Sequence, residues 1–155
     1  MLIEFRVTNF RSIREEQSLS LVMAQGKELL VENTFDSGLP GFPRLLRSAV
    51  IYGANAAGKT NLLKALQYMQ ALVLNSATIS SPGAKILHTP FRLSEASTGR
   101  PSGFEVVFAD NGVRYEYGFT ADAERFHSEW LIAYPHGRPQ HWFEREYNAE
   151  RQAYD

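Results

Sequence analysis

Gly53-Ala54-Asn55-Ala56-Ala57-Gly58-Lys59-Thr60 is the stretch on which the reading of this 155-residue chain turns. It fits G-x-x-x-x-G-K-[ST], the pattern of the phosphate-binding loop, or P-loop. Ahead of it stands the apolar run Ser48-Ala49-Val50-Ile51-Tyr52, which predicts a short buried parallel strand. Behind it Leu62, Leu63, Leu66, Met69, Leu72 and Val73 recur at helical spacing, with Asn61, Lys64, Gln67 and Gln70 between them. The pattern predicts a helix from near Lys59 to roughly Asn75. An ordinary glycine turn is the bland alternative, and the strand–loop–helix context counts against it.

Each loop position has a physical task. Gly53 and Gly58 lack a Cβ, so they permit tight turns and close approach to phosphate oxygens. Ala54, Ala56 and Ala57 keep the rim narrow. Main-chain N–H groups converging at a helix start suit the β- and γ-phosphates of a nucleoside triphosphate. Lys59 is expected to reach those phosphates as a point charge. Thr60 is expected to set its hydroxyl on Mg²⁺, a cation that prefers hard oxygen ligands. The expected ligands are therefore a nucleoside triphosphate and Mg²⁺. The expected binding set is Gly53, Ala54, Asn55, Ala56, Ala57, Gly58, Lys59, Thr60 and Asn61, with Thr60 also the metal ligand.

Length allows one compact domain. Hydrophobic residues make up 44%, enough for a core, and the formal charge of −1 gives no global case for nucleic acid or membrane binding. There are no cysteines, which excludes disulfides and thiolate metal sites and fits a reducing compartment. The opening MLIEFRVTNF alternates apolar and polar residues, unlike a signal peptide, and no stretch is apolar long enough to span a bilayer. The cytoplasm is the expected location. His88, His127, His136 and His141 show no metal-ligand spacing, so no zinc site is expected.

Two opening strands are predicted within residues 1–25: one over 2–10, with Ile3, Phe5 and Val7 on one face, and one over 17–23. Residues 26–44 read as weakly patterned, with loops at Asp36-Ser37-Gly38 and Pro40-Gly41-Phe42-Pro43. Residues 45–77 hold the P-loop strand and helix, which Ser80-Ser81-Pro82-Gly83 ends. An irregular stretch follows to Gly103. Residues 104–148 then read as an antiparallel meander wound separately from the P-loop unit. Asp110-Asn111-Gly112 marks its first turn, and Pro135-His136-Gly137-Arg138-Pro139 its second. The aromatics gathered there read as strand packing rather than base-stacking platforms.

The order of these features resembles the amino-terminal lobe of ABC-type ATPase heads of the SMC/RecF group. Within that group it resembles the bacterial AAA-like branch of OLD-family and abortive-infection (phage-defence) ATPases. Asn9-Phe10-Arg11-Ser12 and the P-loop carry most of the likeness. The resemblance implies an α/β fold: a P-loop NTPase half-lobe with an antiparallel β-meander subdomain, an incomplete ABC-type head forming one ATP-binding lobe over 1–155. It implies ATP-Mg²⁺ bound between two heads of a homodimer, with DNA and a nuclease as further partners and no membrane. It implies that Arg11 reaches the nucleotide phosphates; a surface arginine at a strand end is the equal alternative.

The sequence departs from the family in two ways. Ala56 follows Asn55 where a glycine is common. No apolar run ends in an acidic pair, so the Walker B carboxylates are missing, and so is an LSGG-like signature. The chain therefore reads as the first part of a longer protein, with no catalytic residue of its own and no expected turnover. Two other readings stay open: a small P-loop kinase, and a non-catalytic nucleotide-sensing or interaction module.

Overall fold

The computed structural model describes residues 1–26, 29–79 and 85–155. The helix end expected at 80–83 lies outside the described residues. Among the described residues the order is β1 (Leu2–Thr8), β2 (Gln17–Ser20), α1 (Leu30–Asn33), β3 (Thr34–Leu39), β4 (Phe42–Leu46) and α2 (Lys59–Ile79). Then come α3 (Glu95–Thr98), β5 (Ser102–Asp110), β6 (Val113–Ala121), β7 (Phe126–Tyr134), β8 (Gln140–Asn148) and β9 (Ala153–Tyr154). The fold is mixed α/β, with a mostly antiparallel sheet.

Seven strands form one sheet in the order β2-β1-β5-β6-β7-β8-β9, and β3 and β4 form a separate hairpin. The first turn of the meander has the geometry that its sequence asks for. Asn111 and Gly112 both take positive φ, 49° and 76°, as a two-residue hairpin between right-twisted strands requires. The meander is not a separate unit, however. β5 pairs with β1 from Leu2↔Phe108 to Thr8↔Gly103, so the opening strands and the meander share one ladder.

α2 lies on one face of this sheet. Ala65 and Met69 are its buried positions, one helical turn apart, packed with Phe5, Val7, Phe10, Phe104 and Phe119. Small Ala65 allows the helix axis to come close. Leu63 is half exposed, so the apolar stripe read from sequence is wider than the strip that touches the sheet. Tyr68 extends the aromatic stack, its ring centroid 5.4 Å from that of Phe10 and 5.2 Å from that of Phe104. Each such side chain contributes about 1.5–3 kcal/mol on burial.

The opposite face is covered by the β3–β4 hairpin, through Leu39 and Leu45 against Ile3, Val107 and Ala109. This overturns the expected grouping of Ile3 with Phe5 and Val7. The β1–β5 register shifts between Leu2 and Glu4. The bulge inserts one residue and sends Ile3 to the other side. The hairpin itself lies where loops were expected. Asp36-Ser37-Gly38 marks an irregularity inside β3, where the register shifts between Asp36 and Leu39 and Gly38 has φ 68°. Side chains hold it: Gly38 N–H donates to Asp36 Oδ1, and Leu39 N–H to Ser37 Oγ.

The parallel strand expected over 48–52 is not formed. That segment joins no ladder, with Val50 71% and Tyr52 88% exposed. An apolar run becomes a strand only where a neighbour takes its N–H and C=O groups. Among the described residues, every ladder is antiparallel and none includes 48–52.

Candidate nucleotide-binding site

The loop is built from the residues upward by three features. Ala57 N–H donates to Ala54 C=O at 3.2 Å, which folds 54–57 into a turn. Ala56 and Gly58 take φ 64° and 89°. These left-handed positions bend the chain so that it enters α2 at Lys59. Ala56 pays a steric cost that a glycine at this position would avoid. Residues 53–57 are exposed, so the concave side is open to solvent.

The first N–H groups of a helix have no partner within it. Gly58 C=O accepts from the N–H groups of Asn61 and Leu62 at 2.8 and 3.3 Å. No backbone carbonyl among the described residues accepts from Gly58, Lys59 or Thr60 N–H. Those donors, with the positive end of the 21-residue α2, are what an anion requires. Lys59 Nζ meanwhile donates to Gly53 C=O and Ala54 C=O, both at 2.7 Å. The ammonium is thus folded over the loop and satisfied by its carbonyls.

Beside the loop lies the turn after β1. Phe10 and Ile13 exchange backbone hydrogen bonds at 2.8 Å, and Asn9 and Arg11 both have φ 52°. Buried Asn9 anchors it. Its Nδ2 donates to the carbonyls of Ser97, Arg100 and Pro101, and its Oδ1 accepts from Phe91 N–H. Phe10 enters the core. Arg11 is exposed, with its guanidinium 5.5 Å from the Phe10 ring centroid. Ser12 Oγ accepts from Asn61 Nδ2 at 2.7 Å.

Between turn and loop opens a cleft of about 410 Å³. Gly58, Lys59 and Ala57 form its loop end. Ile51, Tyr52 and Leu62 form an apolar side, and Arg14, Glu15 and Gln17 a polar rim. Of the expected residues, Lys59, Ala57 and Gly58 meet at this cleft. Thr60 is exposed in the first turn of α2, and Asn61 faces the β1 turn. Arg14 lines the cleft and Arg11 does not. Sequence reading missed Ser12, Arg14 and the anchoring by Asn9. The signal for Asn9 and Ser12 was present: short polar residues next to a strand end favour turns with side-chain hydrogen bonds.

A family described as "AAA domain, putative AbiEii toxin, Type IV TA system" has a profile that matches residues 48–153. The chain belongs to that family. The match opens just ahead of the loop and runs through α2 and the meander. Membership makes this an AAA-type, nucleotide-binding, ATPase-like domain, and ATP and Mg²⁺ are the ligands that such domains generally use. No curated protein matches the chain. No helix among the described residues is long and apolar enough to cross a membrane.

Proposed function

We propose that the loop 53–60 binds the β- and γ-phosphates of ATP-Mg²⁺, within the amino-terminal part of an ABC-type ATPase head that serves DNA transactions or abortive infection. The observation that carries this reading is the solvent-open loop that ends on the unpaired N–H groups of Gly58, Lys59 and Thr60. The cleft beside it supports the rest of the ligand, because its apolar side suits a nucleobase and its size falls in the range of ligand pockets. Binding requires Lys59 to exchange two carbonyls for phosphate oxygens, a swap of neutral for charged acceptors that favours the bound state.

Thr60 fits the metal. Its hydroxyl is a hard oxygen donor, exposed in the helix turn that would carry the phosphates. Bound Mg²⁺ would offset phosphate charge. Arg11, exposed on the neighbouring turn, is proposed as a further phosphate cation that must first leave the Phe10 ring. A second head is the proposed partner in nucleotide-driven dimerisation, with DNA and a nuclease further on.

Calorimetric titration of Mg-ATP into the full chain tests the reading. The wild type should bind, and Lys59→Ala should weaken binding by about a hundredfold, the worth of two charge-assisted hydrogen bonds. Equal affinity in the two proteins would remove Lys59 from the site.

A further inference from the structure

We propose that Ser12 is a positioning residue for the phosphate loop, one that transfers the rigidity of the β1 turn to Gly58 and the first turn of α2. The inference rests on the nucleotide reading of the loop and assigns a task within it. Ser12 Oγ accepts from Asn61 Nδ2 at 2.7 Å. The same oxygen stands 3.0 Å from the place where a Cβ on Gly58 would lie. One hydroxyl therefore bonds a side chain of the helix's first turn and fills the space beside Gly58, through which the loop enters the helix.

The two halves of the loop are held differently. The leading half, 53–57, is tied by its own turn hydrogen bond and by Lys59 Nζ, both internal to the loop. The trailing half is tied from outside, by Ser12. That outside point is itself fixed without help from the loop. Asn9 makes four side-chain hydrogen bonds to 91–101, and its C=O accepts from Ser102 Oγ. Phe10 is buried at 2% exposure, and Arg11 N–H donates to Thr89 C=O at 2.8 Å. A rigid support on one side and a self-held rim on the other leave Ser12 to fix where the N–H groups of Gly58, Lys59 and Thr60 point. Pre-set donors bind an anion without first paying to order the loop.

The arrangement also gives the adjoining segments a route to the site. Displacing 89–101 would loosen Asn9, then the turn, then Ser12.

The test is a double-mutant cycle on the full chain, with Mg-ATP affinity and nucleotide-free melting temperature read together. Ser12→Ala and Asn61→Ala should each weaken Mg-ATP about threefold to tenfold, the worth of one hydrogen bond. The double variant should lose no more than the worse single, because both remove the same contact. Ser12 is exposed, so melting of Ser12→Ala without nucleotide should match wild type within about 2 °C, since exposed substitutions change stability little. Wild-type affinity in Ser12→Ala, or losses that add in the double variant, would overturn the inference. If Lys59→Ala weakens binding about a hundredfold while Ser12→Ala keeps wild-type affinity, only this inference fails. If the wild type binds no Mg-ATP, both readings fail.

Discussion

Gly58 and Gly118 both resist a side chain, for different reasons. At Gly58 the backbone is left-handed and a Cβ would press on Ser12 Oγ. Gly58→Ala should therefore strain the loop and cut Mg-ATP affinity more than Ser12→Ala does, with little change in the melting of the sheet; paired calorimetry and thermal melts check this. Gly118 sits in mid-strand at ordinary φ, but Trp130 lies flat on it. A Cβ there would meet Trp130 Cζ2 at 2.3 Å. Gly118→Ala should destabilise by about 1–3 kcal/mol, as overpacking does, in urea melts. Trp130→Leu in the same background should recover part of that loss. At this scale the sequence was legible where backbone conformation is written in residue type, as at Gly58 with its positive φ. It was not legible at Gly118, whose constraint comes from a side chain on the neighbouring strand.

Among the elements, residues 85–91 deserve the name of an irregular stretch only by their backbone. They are bound on three sides. Tyr68 O–H donates to Leu87 C=O at 2.5 Å, Ile86 N–H donates to Ala123 C=O, and Thr89 C=O and Phe91 N–H hold the β1 turn. Burial pushes the Tyr68 phenol up to about 12. His88 lies in this stretch with a buried Nε2 that has no partner. Burial holds its imidazole below the ordinary 6.5, with Asp122 pulling up and His127 pushing down. Asp122, in the β6–β7 turn beside it, pairs with His127 at the start of β7 at 2.6 Å. Burial pushes the Asp122 carboxyl up, but hydrogen bonds from His127 and from Glu124 and Arg125 N–H bring it below its usual value.

The sign of the pH effect follows. A neutral His88 is favoured when folded, so its contribution is present above 6.5 and is lost as pH falls below that value toward the folded pKa. Stability should decline on acidification through this window, and His88→Gln should flatten the slope in melts taken between about pH 5 and 7.5. A slope unchanged by the substitution would mean that His88 does not titrate with unfolding. The elements themselves were partly legible. α2 and the two meander hairpins could be read because helical spacing and Asn-Gly are local signals. The run 48–52 misled, because apolar composition cannot say whether a neighbouring strand is at hand.

At the scale of the molecule, one sheet carries two interiors. Phe5 serves the side under α2 and Leu45 the side under the hairpin, and both are fully buried. Phe5→Ala should cost about 3–5 kcal/mol and Leu45→Ala about 2–5 kcal/mol. Both losses should appear in a single shared unfolding transition, since β1 and β5 border both interiors. Two separate transitions in circular dichroism and tryptophan fluorescence would instead divide the chain. The sheet's continuity was hidden from sequence because the β1–β5 pairing joins residues nearly a hundred positions apart, with no local signal.

The surplus residue at Ile3 is therefore a fastener. In a ribbon of fixed alternation Ile3 would sit with Phe5 and Val7; the additional amide turns it over to Leu39 and Leu45 and stitches the helix-bearing layer to the hairpin layer. Without it β1 would lend the hairpin layer no apolar side chain, because Leu2, Phe5 and Val7 all pack under α2.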